Sequence, residues 1–486
     1  MTDTLYSDAP ADPAAWIASL DLQQTVNGAD ARPASYAHVP YPGTELVIAT
    51  APVGDAATVD AAVRAAHAAF PGWAATPWAD RQAALQRFAD LIEADAHTLS
   101  YLVTSETGRP LRRSLSEVVG AVRYIRTVAS VAPSETRIDH ATSRIRLVQR
   151  PLGVVGAIAP WNGPVILAVV KIATALVAGN TSVLKPSPFS PLSALHFGRL
   201  AREAFPPGVC SIVTGGGDVG AALVAHPLVA KISFTGSTAT GRAIAASAAT
   251  GLKRVTLELG GNDAAIVLGD ADLARFVEFT TQISLANCGA FCAGIKRVYV
   301  ERGIHDELVE RFAARIAAIT VGDGFDEASD MGPIQNRPQY ERVLGFRDDA
   351  LASGGVLHGD AGAMPGSGLF IAPSVATGLG LDHRLVVDEQ FGPILPIVPV
   401  DDLDEAVGLA NAGPYGLGGS VWSRDIDRAV AYAEQLDVGS AWVNQHGAFD
   451  AAVPMPLAKD SGIGIDYGDF GVAEHSQATL INVAGY

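Results

Sequence analysis

The stretch KISFTGSTATG, residues 231–241, reads as a short apolar strand, a glycine turn and the opening of a helix. Ile232 and Phe234 supply β-prone side chains, and small residues from Thr238 onward start the helix. The same texture surrounds it. VVGAIAP (154–160) reads as a strand, and ILAVVKIATALVAGN (166–180) as a helix ending at Gly179. TSVLKP (181–186) is a strand, 191–205 a helix, VCSIVTGGG (209–217) a strand running into a glycine turn, and KRVTLELGG (253–261) another strand. Short apolar strands alternating with helices imply a parallel, doubly wound α/β sheet. In such sheets ligands sit beyond the carboxyl ends of the strands.

Working outward, residues 1–50 read as irregular, with many Pro, Asp and Ala. Val59, Val63, Ala66 and Phe70 recur at helical spacing with Asp55 near the start. Leu85, Phe88, Leu91 and Ile92 mark a second helix, Leu99 to Gly108 a third with a glycine at its end, and Val118, Ala121, Tyr124 and Ile125 a fourth. ATSRIRLVQRP (141–151) alternates apolar and charged residues like an exposed strand, whose apolar side needs cover. The second half repeats the doubly wound texture, with strands expected at 264–268, 297–301, 394–400 and near 439–444. Helices are expected at 272–286, 305–318 and from 403.

The chain has 486 residues, 49% of them hydrophobic and 17% charged, which is a composition for large cores. Its formal charge of −17 repels phosphate backbones and gives no attraction to anionic lipid, so neither nucleic acid nor a membrane surface is an expected partner. Cys210, Cys288 and Cys292 are too few for a disulfide framework and read as reduced thiols. The start lacks the basic-then-apolar pattern of a secretion signal. The most apolar run, Val165–Gly179, is interrupted by Lys171 and too short for a comfortable membrane span. The expectation is a cytoplasmic protein.

Several stretches could carry chemistry, and each has a plain alternative. FTGSTATG (234–241) brings Gly236, Ser237 and Gly241 to a helix N-terminus, which suits an anion, but a tight strand–helix turn explains it as well. TGGGD (214–218) is a second such turn. LKPSPFSP (184–191) sets Lys185 at a strand end, where it could bond a ribose hydroxyl or simply be solvated. In LELGG (257–261), Glu258 ends an apolar strand. Facing a cleft, it would gain a raised pKa suited to base work; facing water, it would be an ordinary carboxylate. PWNGP (160–164) holds Asn162 between prolines as a fixed amide donor or an ordinary turn residue. NCGAFCAGIKR (287–297) holds two of the three cysteines, and free cysteine is more often buried filler than nucleophile. No Cys and His spacing suggests zinc, so no catalytic metal is expected.

Taken together and in this order, PWNGP, LKPS, FTGST, LELGG, GAFCAG and DEQFGP (388–393) resemble the aldehyde dehydrogenase superfamily. The resemblance extends through AVRAAHAAFPGW, GPIQNRPQYERV, YGLGGSVWSRD, GSAWVN and KDSGIG, from about residue 30 to the end. It implies a Rossmann-like cofactor domain from 1–128 and 152–259, a catalytic domain at 260–450, and a small β oligomerisation arm from 129–151 and 465–486 that makes a homodimer or homotetramer. It places Cys292 as the nucleophile, the Asn162 amide and Cys292 N–H as oxyanion donors, and Glu258 as the base that activates water. An aldehyde would be captured as a thiohemiacetal, oxidised to a thioester and hydrolysed to the acid, with NAD as cofactor and NADP as the other possibility. The cofactor contacts implied are Ala159, Trp161, Lys185, Ser187, Gly215, Gly236, Ser237, Gly241, Leu259, Glu389 and Phe391, with Trp161 and Lys185 on the adenosine side and Glu389 and Phe391 at the nicotinamide end.

Departures from the family pattern bear on specificity. NAD-preferring members often carry a glutamate three residues after the lysine; here Pro188 removes that obstacle to a 2′-phosphate. Ala290 stands where a glutamine is common, and PMPL (454–457) replaces PFGG. Gly163 opens a position that is often aromatic, Phe291 adds apolar surface, and His446 could line the mouth of the substrate pocket or be an ordinary loop histidine, the plainer reading. The pocket is therefore expected to suit a bulky apolar or aromatic aldehyde, with no arginine evident to hold a charged one. The alternatives are a coenzyme A-acylating or semialdehyde-specific relative, a non-catalytic binding protein on the same fold, and a thiol hydrolase, which would need a histidine near Cys292.

Overall fold

The structure, a computed structural model, describes residues 4–33, 35–133, 135–140, 143–359, 362–364 and 366–484. Its first sheet has eight strands in the order Ala29–Ala31, Gln24–Val26, Cys210–Ile212, Thr181–Lys185, Val154–Ile158, Val229–Thr235, Arg254–Glu258 and Gly462–Ile463. The five strands between Cys210–Ile212 and Arg254–Glu258 pair in parallel, and both edges are antiparallel. From Val154–Ile158 the chain winds outward to Cys210–Ile212, then returns to the other flank of Val154–Ile158 with Val229–Thr235. The winding direction reverses between these two neighbours. Their carboxyl ends therefore splay apart into a crevice, entered by Ala159–Asn162 from one side and Gly236–Ser237 from the other.

Helices cover both faces. Ala56–Ala75 starts at a capping box in which Asp55 accepts from the Thr58 N–H and the Thr58 hydroxyl accepts from the Asp55 N–H. Ile166–Val177 is almost wholly apolar because sheet and helices enclose it; its one charge, Lys171, is fully buried. Leu99 to Gly108 ends as expected, with Gly108 in the left-handed region at φ 75°.

Only Leu259–Asp263 separates Arg254–Glu258 from Ala264–Val267, which begins the second sheet. That sheet runs Val356–His358, Ser374–Thr377, Ile394–Val400, Arg297–Glu301, Ala264–Val267, Gly418–Trp422, Ser440–Val443, parallel except at its first pair. The fold class is α/β with two doubly wound sheets. A third, antiparallel sheet joins Glu135–Asp139, Ser143–Pro151 and Ser476–Ala484, the last two in register from Ser476↔Pro151 to Ala484↔Ser143. Residues 141–142 of the expected arm strand and 485–486 lie outside the described residues. Among the described residues, no helix is long and apolar enough to cross a membrane.

The first 50 residues are not irregular. Asp12 caps a helix at Pro13–Ser19 that buries Ile17, and Ser35–Pro40 pairs with Val47–Val53 as a hairpin. The hairpin strand Ser35–Pro40 is exposed at all but one position, so it lacks the alternation that marks a half-buried strand. The helices Gly217–Ala225, Arg337–Ala352 and Ile426–Ala433 are further elements the sequence reading lacked.

Candidate active site

The nucleophile candidate sits on a loop between sheets. Ala286–Gly289 forms one 3-10 turn in which Asn287 and Cys288 take φ values of 50° and 55°. Cys288 lies within this turn, and Cys292 follows it in the loop three residues after its end. Cys288 points into packing, where its Sγ meets Gly332 O at 3.0 Å and Pro333 O at 3.2 Å. Gly289 has φ +77°, and a Cβ there would lie 2.3 Å from Gly392 O, so only glycine lets this loop rest on the loop that carries Glu389 and Phe391. Cys292 is half-buried and lines two cavities at once.

The first cavity, about 490 Å³, is walled mainly by apolar side chains, among them Ile166, Leu167, Ile283, Phe291, Phe449 and Tyr467, with Gly163 in its lining. Glu258 and Asn162 also face it. Glu258 ends its strand beside Thr235, whose hydroxyl donates to Glu258 Oε2 at 2.5 Å. Burial, then the Asp466 charge, push its carboxyl up to about 7, against the pull of the Lys171 ammonium. Burial first, and then Glu258, push the Cys292 thiol up to about 12, with Lys296 pulling the other way. A thiol so placed is protonated at rest and needs a base at hand. Asn162 is anchored through its carbonyl, which accepts from Arg109 Nη2 at 2.5 Å and Asn287 Nδ2 at 3.0 Å. Its side-chain amide donates to Ala290 O at 3.1 Å, two residues before the cysteine. Arg109 in turn is ion-paired with Glu117.

The second cavity, about 400 Å³, opens at the switch point of the first sheet. It is lined by Trp161, Gly236, Ser237, Leu259, Glu389 and Phe391, all anticipated, and by Gln339, Arg342 and Tyr415, which were not. Gln339 and Arg342 lie on the Arg337–Ala352 helix and pin the 389–391 loop. Gln339 Nε2 donates to Gln390 O and Phe391 O at 3.0 and 2.9 Å, and Arg342 Nη2 to Glu389 O at 2.8 Å. Glu389 Oε1 accepts from the Gly261 N–H at 3.1 Å, and burial raises its carboxyl pKa against the pull of Lys296. Ser237 caps the Thr238–Ala249 helix, whose N-terminus faces the cavity.

Other anticipated residues are placed differently. Trp161 packs edge-to-face on Phe391 with centroids 5.6 Å apart, in the same cavity wall as Cys292. It stands at the cysteine end rather than with Lys185. Ala159, Lys185, Ser187 and Gly215 do not line this cavity. Lys185 is buried, donates to Pro186 O at 3.1 Å, and is pushed down to about 8 by burial, against Asp218. Gly241 serves packing, because a Cβ there would lie 2.3 Å from Leu259 Cδ2. His446 is not at a pocket mouth. It is fully buried against Trp442, with Nδ1 2.9 Å from Ser420 Oγ and Nε2 3.3 Å from Asp263 Oδ2. The Ser420 hydroxyl and the nearby Asp263 carboxylate, both remote in sequence, give the buried imidazole a polar surrounding that sequence adjacency does not reveal.

Arginines do line the apolar cavity. Arg109 is neutralised by Glu117, but the Arg113 guanidinium makes no hydrogen bond or ion pair among the described residues. Among the described residues, no group of three or more His, Cys, Asp or Glu is placed to hold a metal ion.

The family model described as "Aldehyde dehydrogenase family" matches residues 30–481. Retinaldehyde dehydrogenase 3 of Homo sapiens is 37% identical over 459 residues, covering 91% of this chain and 88% of the relative. Phenylacetaldehyde dehydrogenase of Pseudomonas fluorescens is 37% identical over 466 residues, covering 92% of each. Among solved structures, betaine aldehyde dehydrogenase of Staphylococcus aureus in complex with NAD+ superposes with a TM-score of 0.94 at 30% identity, covering 99% of this chain and 97% of that one.

Proposed function

The chain belongs to the aldehyde dehydrogenase family, and from that premise we propose that it oxidises a bulky apolar or aromatic aldehyde to the free acid, with Cys292 as nucleophile and NAD as cofactor. The observation that carries this reading is that Cys292 and Asn162 line both cavities, so a carbonyl held between them faces the apolar chamber and the switch-point crevice together.

The crevice fits a dinucleotide. It offers the N–H groups of a helix N-terminus at Ser237–Ala239 for phosphate and the half-buried Glu389 carboxylate for ribose hydroxyls. A Cβ on Gly260 would lie 2.6 Å from Glu389 Oε2, so glycine leaves the floor open there. Bound NAD would supply the nicotinamide that accepts the substrate's hydride.

The chain's own residues carry the remaining steps. Glu258 takes the Cys292 proton, and the thiolate adds to the carbonyl. The Asn162 amide and the Cys292 N–H donate to the oxygen as it becomes anionic, a term worth about 3–4 kcal/mol per donor. Loss of hydride from this thiohemiacetal leaves a thioester on Cys292. Glu258 then releases the thiol proton to solvent and, as a carboxylate again, takes a proton from the water that adds to the thioester; the Cys292 thiolate leaves as the acid forms.

Two features support a second substrate reading, an aldehyde that also bears an acid group. Arg112 and Arg113 occupy the first turn of the Leu111–Val128 helix, where a cation opposes the macrodipole. Arg112 is paired with Asp330 at 3.0 Å, whereas Arg113 faces the cavity unpaired. The three-stranded sheet leaves Leu480 and Val483 exposed at 62% and 51%, a face that suits a second copy of the chain.

The test is a panel of neutral, aromatic and acid-bearing aldehydes run with NAD and with NADP, following reduced nicotinamide and identifying the product with and without coenzyme A. Free acid from aromatic aldehydes supports the reading. A coenzyme A thioester as the sole product rejects the hydrolytic route.

A further inference from the structure

Lys296 is 2% exposed, yet among the described residues its ammonium has no carboxylate within ion-pair distance. It donates instead to three carbonyls of the nucleophile loop: Phe291 O, Cys292 O at 3.3 Å and Gly294 O at 3.2 Å. One face of the ammonium lies over the Phe391 ring, 5.6 Å from its centroid. The backbone fixes it from both sides: Lys296 N–H donates to Asp263 O at 2.9 Å, and Lys296 O accepts from Gln390 Nε2 at 2.9 Å.

A buried ammonium held only by neutral oxygens is costly unless a negative charge forms beside it. The other charged groups acting on Cys292 are Glu258, Glu389 and Asp263, all acidic. Lys296 is the one cation among them. The carbonyls it gathers bracket the cysteine on both sides, so these bonds fix the backbone that carries the Cys292 Sγ and N–H while leaving the positive charge uncompensated.

We propose that Lys296 is the positioning residue of the nucleophile: its ammonium ties the Phe291, Cys292 and Gly294 carbonyls into one rigid cradle and supplies the positive charge that the Cys292 thiolate otherwise lacks. This rests on Cys292 being the nucleophile. It adds a group with no part in the proton transfers assigned to Glu258.

The test is the pH dependence of Cys292 alkylation by iodoacetamide, read on the Cys292 peptide by mass spectrometry, for the wild-type chain, Lys296→Met and Lys296→Arg. In Lys296→Met the alkylation curve is expected to move up by about one pH unit, about tenfold in rate at fixed pH, and turnover to fall with it. Lys296→Arg keeps the charge but cannot cap three converging carbonyls with a planar fork. Its curve is expected to stay within about 0.3 unit of wild type while turnover falls. A folded Lys296→Met chain with an unmoved curve overturns the proposal. If that variant does not fold, a Lys296→Arg curve displaced upward by about a unit does so instead. The underlying reading fails separately, if complete alkylation of wild-type Cys292 leaves aldehyde turnover intact.

Discussion

Lys171 Nζ lies 3.8 Å from Glu258 Oε2 and 3.9 Å from Asp466 Oδ2, so one buried ammonium is shared by two buried carboxyls. Lys171 and Asp466 are wholly inaccessible, and the pair sits behind Glu258, away from the aldehyde cavity. The position of Glu258 in pH is therefore set from behind. Burial and the Asp466 charge raise it, and Lys171 lowers it.

The sign of two variants follows. Glu258 is active as carboxylate, so thioester hydrolysis should rise with pH through about 7. Asp466→Asn removes a like charge, lowers the Glu258 pKa and should move that rise to lower pH. Lys171→Met removes the opposing charge and should move it higher, by about one unit, about tenfold in rate at fixed pH. Stranding buried carboxyls should also cost Lys171→Met about 3–5 kcal/mol of stability. Acyl-enzyme hydrolysis after a burst of reduced nicotinamide, followed from pH 6 to 9, measures the shift. Identical curves in all three proteins would remove Lys171 and Asp466 from the account.

At the oxyanion position, Asn162→Ala should lower turnover by about 10²–10³-fold, the usual cost of one such donor. Because Asn162 also holds Ala290 O, the variant needs a control for a displaced loop. Nicotinamide nucleotide binding, measured by calorimetry, should change less than about twofold if only the donor is lost. Cys292→Ser should abolish turnover and leave that binding intact. A Cys292→Ser chain that still turns over would end the thiolate route.

How much of this was legible beforehand follows from the kind of signal each residue leaves. Val154–Ile158 announces itself because a strand buried on both faces reads as a continuous apolar run, and Val229–Thr235, despite the buried Lys231 and Ser233, is marked by Ile232 and Phe234 and by the glycine turn that follows it. Cys292, Glu258 and Asn162 sit in short motifs whose composition is peculiar to a chemistry. Gln339, Arg342 and Lys296 leave no such mark, since each acts by bonding to backbone carbonyls of distant or neighbouring loops, and a carbonyl has no sequence signature. His446 misled for the complementary reason. Its partners Ser420 and Asp263 are remote in sequence, so a buried imidazole looks like a loop residue until the sheet is assembled.

Cofactor choice is testable at one position. Ser187 is buried and its hydroxyl accepts from the Phe189 N–H at 3.2 Å, while Pro188 between them is exposed. A Pro188→Glu side chain would therefore reach solvent near the Lys185 strand end without displacing the core. If the 2′-position of the cofactor ribose lies there, the added carboxylate repels a 2′-phosphate. KM for NADP should then rise about tenfold with KM for NAD unchanged or lower, and kcat held. Equal effects on both cofactors would place the ribose elsewhere.

The unpaired arginine decides between the two substrate readings. A guanidinium that meets a carboxylate on the substrate gains a charge-assisted hydrogen bond worth about 1.5–3 kcal/mol, or about ten- to a hundredfold in kcat/KM. Arg113→Gln removes that gain while keeping a polar side chain at the cavity edge. Acid-bearing aldehydes should lose this factor and neutral aromatic aldehydes should change less than about twofold. The apolar walls contributed by Ile166, Leu167, Phe291 and Phe449 are untouched by the variant, so a uniform loss across both classes would mean that Arg113 supports the helix rather than the substrate. Wild-type preference for neutral aldehydes together with an inert Arg113→Gln would leave the arginine as a solvated side chain and the chamber as a purely apolar one.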